Sequence, residues 1–74
     1  MNKKTFTAII QREDSGWVAL CPELDVASQG DTIEAAKANL QEAVELFLEA
    51  ADPAEISLRL RTETYLSQVE VDFG

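Results

Sequence analysis

The run Cys21-Pro22-Glu23-Leu24-Asp25-Val26-Ala27-Ser28-Gln29-Gly30-Asp31-Thr32-Ile33-Glu34 ends a strand, reverses the chain and starts a helix without a spare residue. Pro22 has no N–H, so ladder pairing stops after the apolar stretch Trp17–Cys21. Val26-Ala27-Ser28 can extend again and predicts a short third strand over residues 26–29. Gly30 supplies a permissive backbone where the chain turns into a helix. Asp31 reads as the N-cap, and Glu34, three residues on, completes a D-x-x-E capping box.

The flanking segments extend the pattern on both sides. From Lys4 to Glu13 the chain alternates, with Phe6, Ala8 and Ile10 on one face and Thr5, Thr7, Ile9 and Gln11 on the other. Asp14-Ser15-Gly16 reads as a hairpin turn in which Gly16 is free to take positive φ. The return strand Trp17–Cys21 then puts Trp17, Ala19 and Cys21 on one face and Val18 and Leu20 on the other. Between Thr32 and Ala51, the positions Ile33, Ala36, Leu40, Val44, Phe47 and Leu48 follow helical spacing. Asp52-Pro53-Ala54-Glu55 repeats the cap logic with Pro at the first helical position, giving a short second helix to about Leu60. The alternation Ile56, Leu58, Leu60 leaves a strand as the alternative there. Tyr65–Phe73 alternates once more, Val69, Val71 and Phe73 facing one way and Glu70 and Asp72 the other, which predicts a closing strand.

The expected architecture is therefore α+β, in the order β-β-β-α-(short α)-β, with a mostly antiparallel sheet and one long helix packed on one face. A single helix covers a single face, so the side carrying Ile9, Val18 and Leu20 is either wet or paired with another molecule.

Seventy-four residues make one small domain, 1–74, whose thin core buries only about 60% of the unfolded surface. One cysteine and no histidine give neither an internal disulfide nor a Cys/His zinc set. Self-association is the remaining common source of stability, so a homodimer or dimer of dimers is expected, with Val69, Val71 and Phe73 as its interface. The amino-terminal residues are too polar for a signal peptide, and no apolar run approaches the ~20 residues of a membrane span. A cytoplasmic protein is expected. The net charge of −8 repels phosphate backbones and favours a small basic protein as partner over autonomous nucleic-acid binding.

The absence of histidine removes Ser-His-Asp and Cys-His catalysis. Cys21 lacks a neighbouring cation to lower its pKa and reads as a packed thiol. No cofactor or metal is implied, and the chain is expected not to be an enzyme. Glu42, Glu45 and Glu49 form an acidic outer stripe on the long helix, and the like-charge pair Glu45–Glu49 costs a few tenths of a kcal/mol. That stripe is either a solvated face or a docking surface for a basic protein. Trp17 is a packing residue or a partner anchor, and the loop Glu23-Leu24-Asp25 is a further candidate contact.

Taken with Gly16-Trp17-Val18-Ala19 before it and Ala35-Ala36-Lys37-Ala38-Asn39-Leu40 after it, the central segment resembles the HicB-like antitoxins. The likeness extends to Thr64–Val71, and so covers nearly the whole chain. It departs at Asp25-Val26, where many family members have Gly soon after the Pro-acidic-Leu unit. The resemblance implies a partial RNase H fold and a non-catalytic antitoxin that binds and occludes a HicA-type toxin, a small basic RNase. Family members often add a carboxy-terminal DNA-binding domain, which is not expected in a chain that stops at Gly74. A homo-oligomeric scaffold without a toxin is the alternative. A two-metal nuclease, which the RNase H likeness also invites, needs converging carboxylates, whereas Asp14, Asp31, Glu70 and Asp72 each have a structural explanation.

Overall fold

Short connections between successive strands force antiparallel pairing, and the computed structural model, which describes residues 3–61 and 63–74, shows it. Strands β1 (Ile9–Glu13), β2 (Gly16–Cys21) and β3 (Val26–Gly30) form one sheet in the order β1-β2-β3. Ile10 pairs with Ala19, and Ala19 with Ser28, which fixes the inward face. Because Glu13 pairs with Gly16, the hairpin turn is the two residues Asp14-Ser15. The positive φ falls on Asp14 (52°) and not on Gly16, which already belongs to the β2 ladder. Asp25 also has positive φ (55°), so at the point of departure from the HicB-like pattern this chain holds the left-handed backbone that glycine favours.

Helix α1 spans Ile33–Ala50, and its N-cap is Thr32, one residue later than expected. Thr32 is extended (φ −131°), and its Oγ1 accepts from the Ala35 N–H at 3.0 Å. The reason lies in Gly30, which packs directly on the helix's first turn: a Cβ there would sit 2.5 Å from the Ala36 nitrogen. With the strand end held that close, Thr32 is the residue left in capping geometry, and Asp31 is exposed beside it. Thr32→Ala should therefore lower stability by about 1 kcal/mol and Asp31→Ala by only a few tenths. Urea midpoints of the two variants, compared with the parent, check the ranking.

The second helix, α2 (Pro53–Arg61), resolves the alternative over residues 53–61 in favour of a helix. Its cap decides the matter: Asp52 Oδ1 accepts from the Ala54 N–H at 2.9 Å, and Pro53 takes the first helical position. Yet α2 fully buries none of its side chains.

The core lies between α1 and the sheet. Ala19, Cys21, Leu24, Ala36, Leu40 and Val44 are buried, with Phe6, Ile10, Trp17, Val26, Phe47 and Leu48 packed around them. Helix α1 leans over β3 and β2 and only grazes β1. The opposite face of the sheet carries Ile9 paired with Leu20, and Val18, none of them part of that core.

The closing strand expected over Tyr65–Phe73 is not formed: residues 63–74 belong to no helix or sheet, and Val69, Val71 and Phe73 are 86%, 70% and 96% exposed. Alternation specifies which side chains share a face, but a strand also needs a neighbouring backbone, and neither edge of the sheet receives this segment. The observed order is β-β-β-α-α, within the expected α+β class.

Candidate functional site

The 3.6-residue period of α1 sets Glu42, Glu45 and Glu49 opposite the buried row Ala36, Leu40, Val44, and all three glutamates are exposed. Local energetics do not favour them there. Glu45 and Glu49 repel at i,i+4, and Glu49 stands near the negative end of the helix dipole, in a helix whose last turn has no basic residue. Among the described residues the one ion pair is Arg59–Glu55, at 2.9 Å, so none of the three glutamates is held in an ion pair. Leu46, 57% exposed, sits among these glutamates. Sequence reading passed over it, although its outward position in an otherwise amphipathic helix is the signal that could have found it. The arrangement presents three exposed carboxylates with an apolar side chain among them, which suits a cation-rich protein surface.

The loop after β2 is built differently. Glu23 turns inward: its Oε2 accepts from the Thr7 N–H at 2.9 Å and from Thr7 Oγ1 at 2.8 Å, and Cys21 Sγ lies 3.6 Å from Oε1. Partial burial pushes this carboxyl up, but the hydrogen bonds from Thr7, from its own backbone and from Cys21 together outweigh it and hold the pKa below the ordinary value. Burial pushes the Cys21 thiol up, and the Glu23 carboxylate adds to the effect, so Cys21 stays protonated in the core. Glu23 thereby pins the amino-terminal segment to the β2–β3 loop. Leu24, taken from the sequence as part of a contact loop, is a core residue with no exposed surface. Asp25 is exposed.

Because the folded-state pKa of Glu23 is depressed, its contribution is present above the ordinary carboxyl range and is lost as the pH falls through the folded value. Glu23→Gln should cost about 1–2 kcal/mol at neutral pH, and the gap to the parent should close in strong acid. Urea unfolding of both proteins at neutral and strongly acid pH measures it; a gap independent of pH would mean that the charge is not the stabilising element.

Trp17 is half-buried against the core, and the Arg12 guanidinium lies 4.8 Å from its ring centroid. Arg59, which sequence reading did not single out, ties α2 to the body. It donates to the Leu24 carbonyl, pairs with Glu55, and stacks 4.7 Å from the Phe47 ring centroid. No sequence signal links positions 24 and 59. Among the described residues no three Asp, Glu or Cys side chains come together in a metal-holding group, and no helix is long and apolar enough to cross a membrane.

No family model matches the chain, and no solved structure gives a significant match. Curated proteins do. A UPF0150 protein of Synechocystis is 51% identical over 49 residues, 64% of this chain and 68% of that relative. A second from the same organism is 45% identical over 47 residues, covering 60% of its length. A UPF0150 protein of Helicobacter pylori is 30% identical over 68 residues, a match spanning 90% of this chain and 94% of the relative. With likeness running through nearly the full length of both proteins, the chain belongs to the UPF0150 family.

Proposed function

We propose that this protein is a non-catalytic, HicB-like antitoxin that binds a small basic RNase of the HicA type and occludes its active surface in the cytoplasm. The observation that carries the reading is the outward stripe Glu42, Glu45 and Glu49, none of which is in an ion pair among the described residues of a chain of net charge −8. Acids that repel one another and oppose their own helix dipole weaken the fold, and a local conflict of this kind is expected at a functional surface. The HicB-like order of segments supports the same partner class. The mechanism is steering of a cationic partner by complementary potential, followed by burial of apolar surface around Leu46.

The test is isolation of the native protein from its own cells, with identification of bound chains, followed by an RNA-cleavage assay with any small basic partner found. The expected result is stoichiometric inhibition of a basic RNase, with an association rate that falls as salt rises. A bound partner that is neutral or acidic, or that retains full RNase activity in the complex, would overturn the proposal. The scaffold alternative has its own support in the exposed apolar residues of the carboxy-terminal segment. It predicts that the chain is recovered only with copies of itself, and that no basic protein is encoded in a neighbouring reading frame.

A further inference from the structure

Residues 63–74 form an acidic, apolar segment without a place to lie. Val69, Val71 and Phe73 alternate with Glu70 and Asp72, and all five are exposed. The side-chain hydrogen bonds of the segment are local, Tyr65 to Glu63 and Ser67 to the Gln68 carbonyl. It also stands off the body: the radius of gyration is 14.5 Å, against about 11 Å for a compact chain of this length, and the long axis is 48 Å.

A groove of about 740 Å³ runs between the segment leading into β1 and helix α1, on the side of the sheet that α1 leaves least covered. Its floor is apolar, from Phe6, Leu40, Val44 and Leu48. Its rim carries Lys3, Lys4 and Lys37, three of the six cations in the chain, and one acid, Glu45. The Thr7–Glu23 hydrogen bonds hold the wall in place. Along the amino-terminal segment the lining ends at Ala8, just before β1 begins, and the outer edge of β1 is unpaired among the described residues.

We infer that this groove receives the 63–74 segment of a second copy of the chain as an added strand, in reciprocal exchange. Val69, Val71 and Phe73 fill the apolar floor, Glu70 and Asp72 meet the lysine rim, and the backbone pairs with the free edge of β1. Charge complementarity selects the occupant: in a protein of net charge −8, the groove gathers half of the cations, and the unplaced segment alternates acids with apolar residues. Arg59 holds α2 on the Leu24 carbonyl and the Phe47 ring, and Leu60 beside it lines the groove of its own chain. Reciprocal exchange closes a two-fold dimer and buries at once the open strand edge and the exposed apolar row. Of the stripe, Glu45 stands on the groove rim and is covered by the exchange, whereas Glu42 and Glu49 do not line the groove.

Light scattering on gel-filtered full-length protein tests the assignment. The parent should elute at twice the 8.2 kDa of one chain at micromolar concentration. Two variants disable the two halves of the contact without touching the core: Val69→Asp with Val71→Asp in the segment, and Ala8→Glu at an exposed groove position. Each should raise the dimer dissociation constant by about a hundredfold with circular dichroism unchanged. Mixing the two variants should restore a dimer, since one supplies an intact groove and the other an intact segment. A parent that stays monomeric at high micromolar concentration, as docking onto its own groove would give, overturns the inference. So does a dimer that survives either variant, or a mixture that stays monomeric.

Discussion

Replacing Gly30 by alanine should lower the unfolding free energy by about 2–4 kcal/mol, a large part of the stability of so small a domain. The added Cβ would stand 2.5 Å from the Ala36 nitrogen, 2.7 Å from the Ala35 carbonyl carbon and 2.9 Å from Ala35 Cβ. Two of those neighbours are backbone atoms, which cannot rotate aside, so β3 and the first turn of α1 must separate. That separation opens the packing around Ala36 and weakens the Thr32 cap together. Reduced entropy of the unfolded chain works the other way but contributes only about 0.4–1 kcal/mol. Gly16→Ala is the internal control, because its Cβ would meet only the Gly30 carbonyl oxygen, at 3.1 Å, and should cost less. Thermal unfolding followed by circular dichroism should show a drop in Tm on the order of 15 °C for Gly30→Ala; an unchanged Tm would mean that β3 and α1 are not held in this contact.

Reversing Glu42, Glu45 and Glu49 to lysine together should slow association with a basic RNase by about a hundredfold at low ionic strength. Three reversals of two units each bring the net charge from −8 to −2, and they invert the local field at the proposed contact. The deficit should shrink with added salt, because at 0.15 M the screening length is about 8 Å. Folding gives an independent readout: a lysine at position 49 suits the carboxy-terminal end of α1, so stability should hold or rise by a few tenths of a kcal/mol. Slower binding by a variant no less stable than the parent cannot be attributed to unfolding. Stopped-flow association rates at several salt concentrations provide the measurement, and parent-like rates at low salt would reduce the stripe to a solvated face.

The three strands and the long helix were legible from local signals, a period of two residues in β1 and β2 and of 3.6 in Ile33–Ala50, although the first strand begins at Ile9 and not at Lys4, where its alternation starts. The second helix was legible from its cap once Asp52 and Pro53 outweighed the alternation Ile56, Leu58, Leu60. Errors entered where two adjacent residues could both serve. Asp31 and Thr32 are both good caps, and the close packing of Gly30 on Ala36 chose between them. In the hairpin, register placed Gly16 in the ladder and left Asp14 with positive φ. The closing strand was a true pattern without a partner, since Val69, Val71 and Phe73 are all exposed and residues 63–74 join no strand among the described residues. What the sequence hid altogether were contacts between distant positions: Glu23 with Thr7, and Arg59 with the Leu24 carbonyl. They make Glu23 and the Leu24 carbonyl structural joints, while Asp25 stays exposed.

The Arg59 clamp also divides the molecule into two tiers of opening. Helix α1 is held by the buried row Ala36, Leu40 and Val44, so its amide protons exchange with solvent only when the whole core gives way. Helix α2 fully buries nothing; Ile56 is half-buried, and the Arg59 guanidinium ties the helix to the Leu24 carbonyl and the Phe47 ring. Loss of that grip frees residues 53–61 while the sheet and α1 stay intact, so their amides exchange through a separate, cheaper event. The fold thus carries its carboxy-terminal third on a joint that can open and reclose many times within the lifetime of a single folded core.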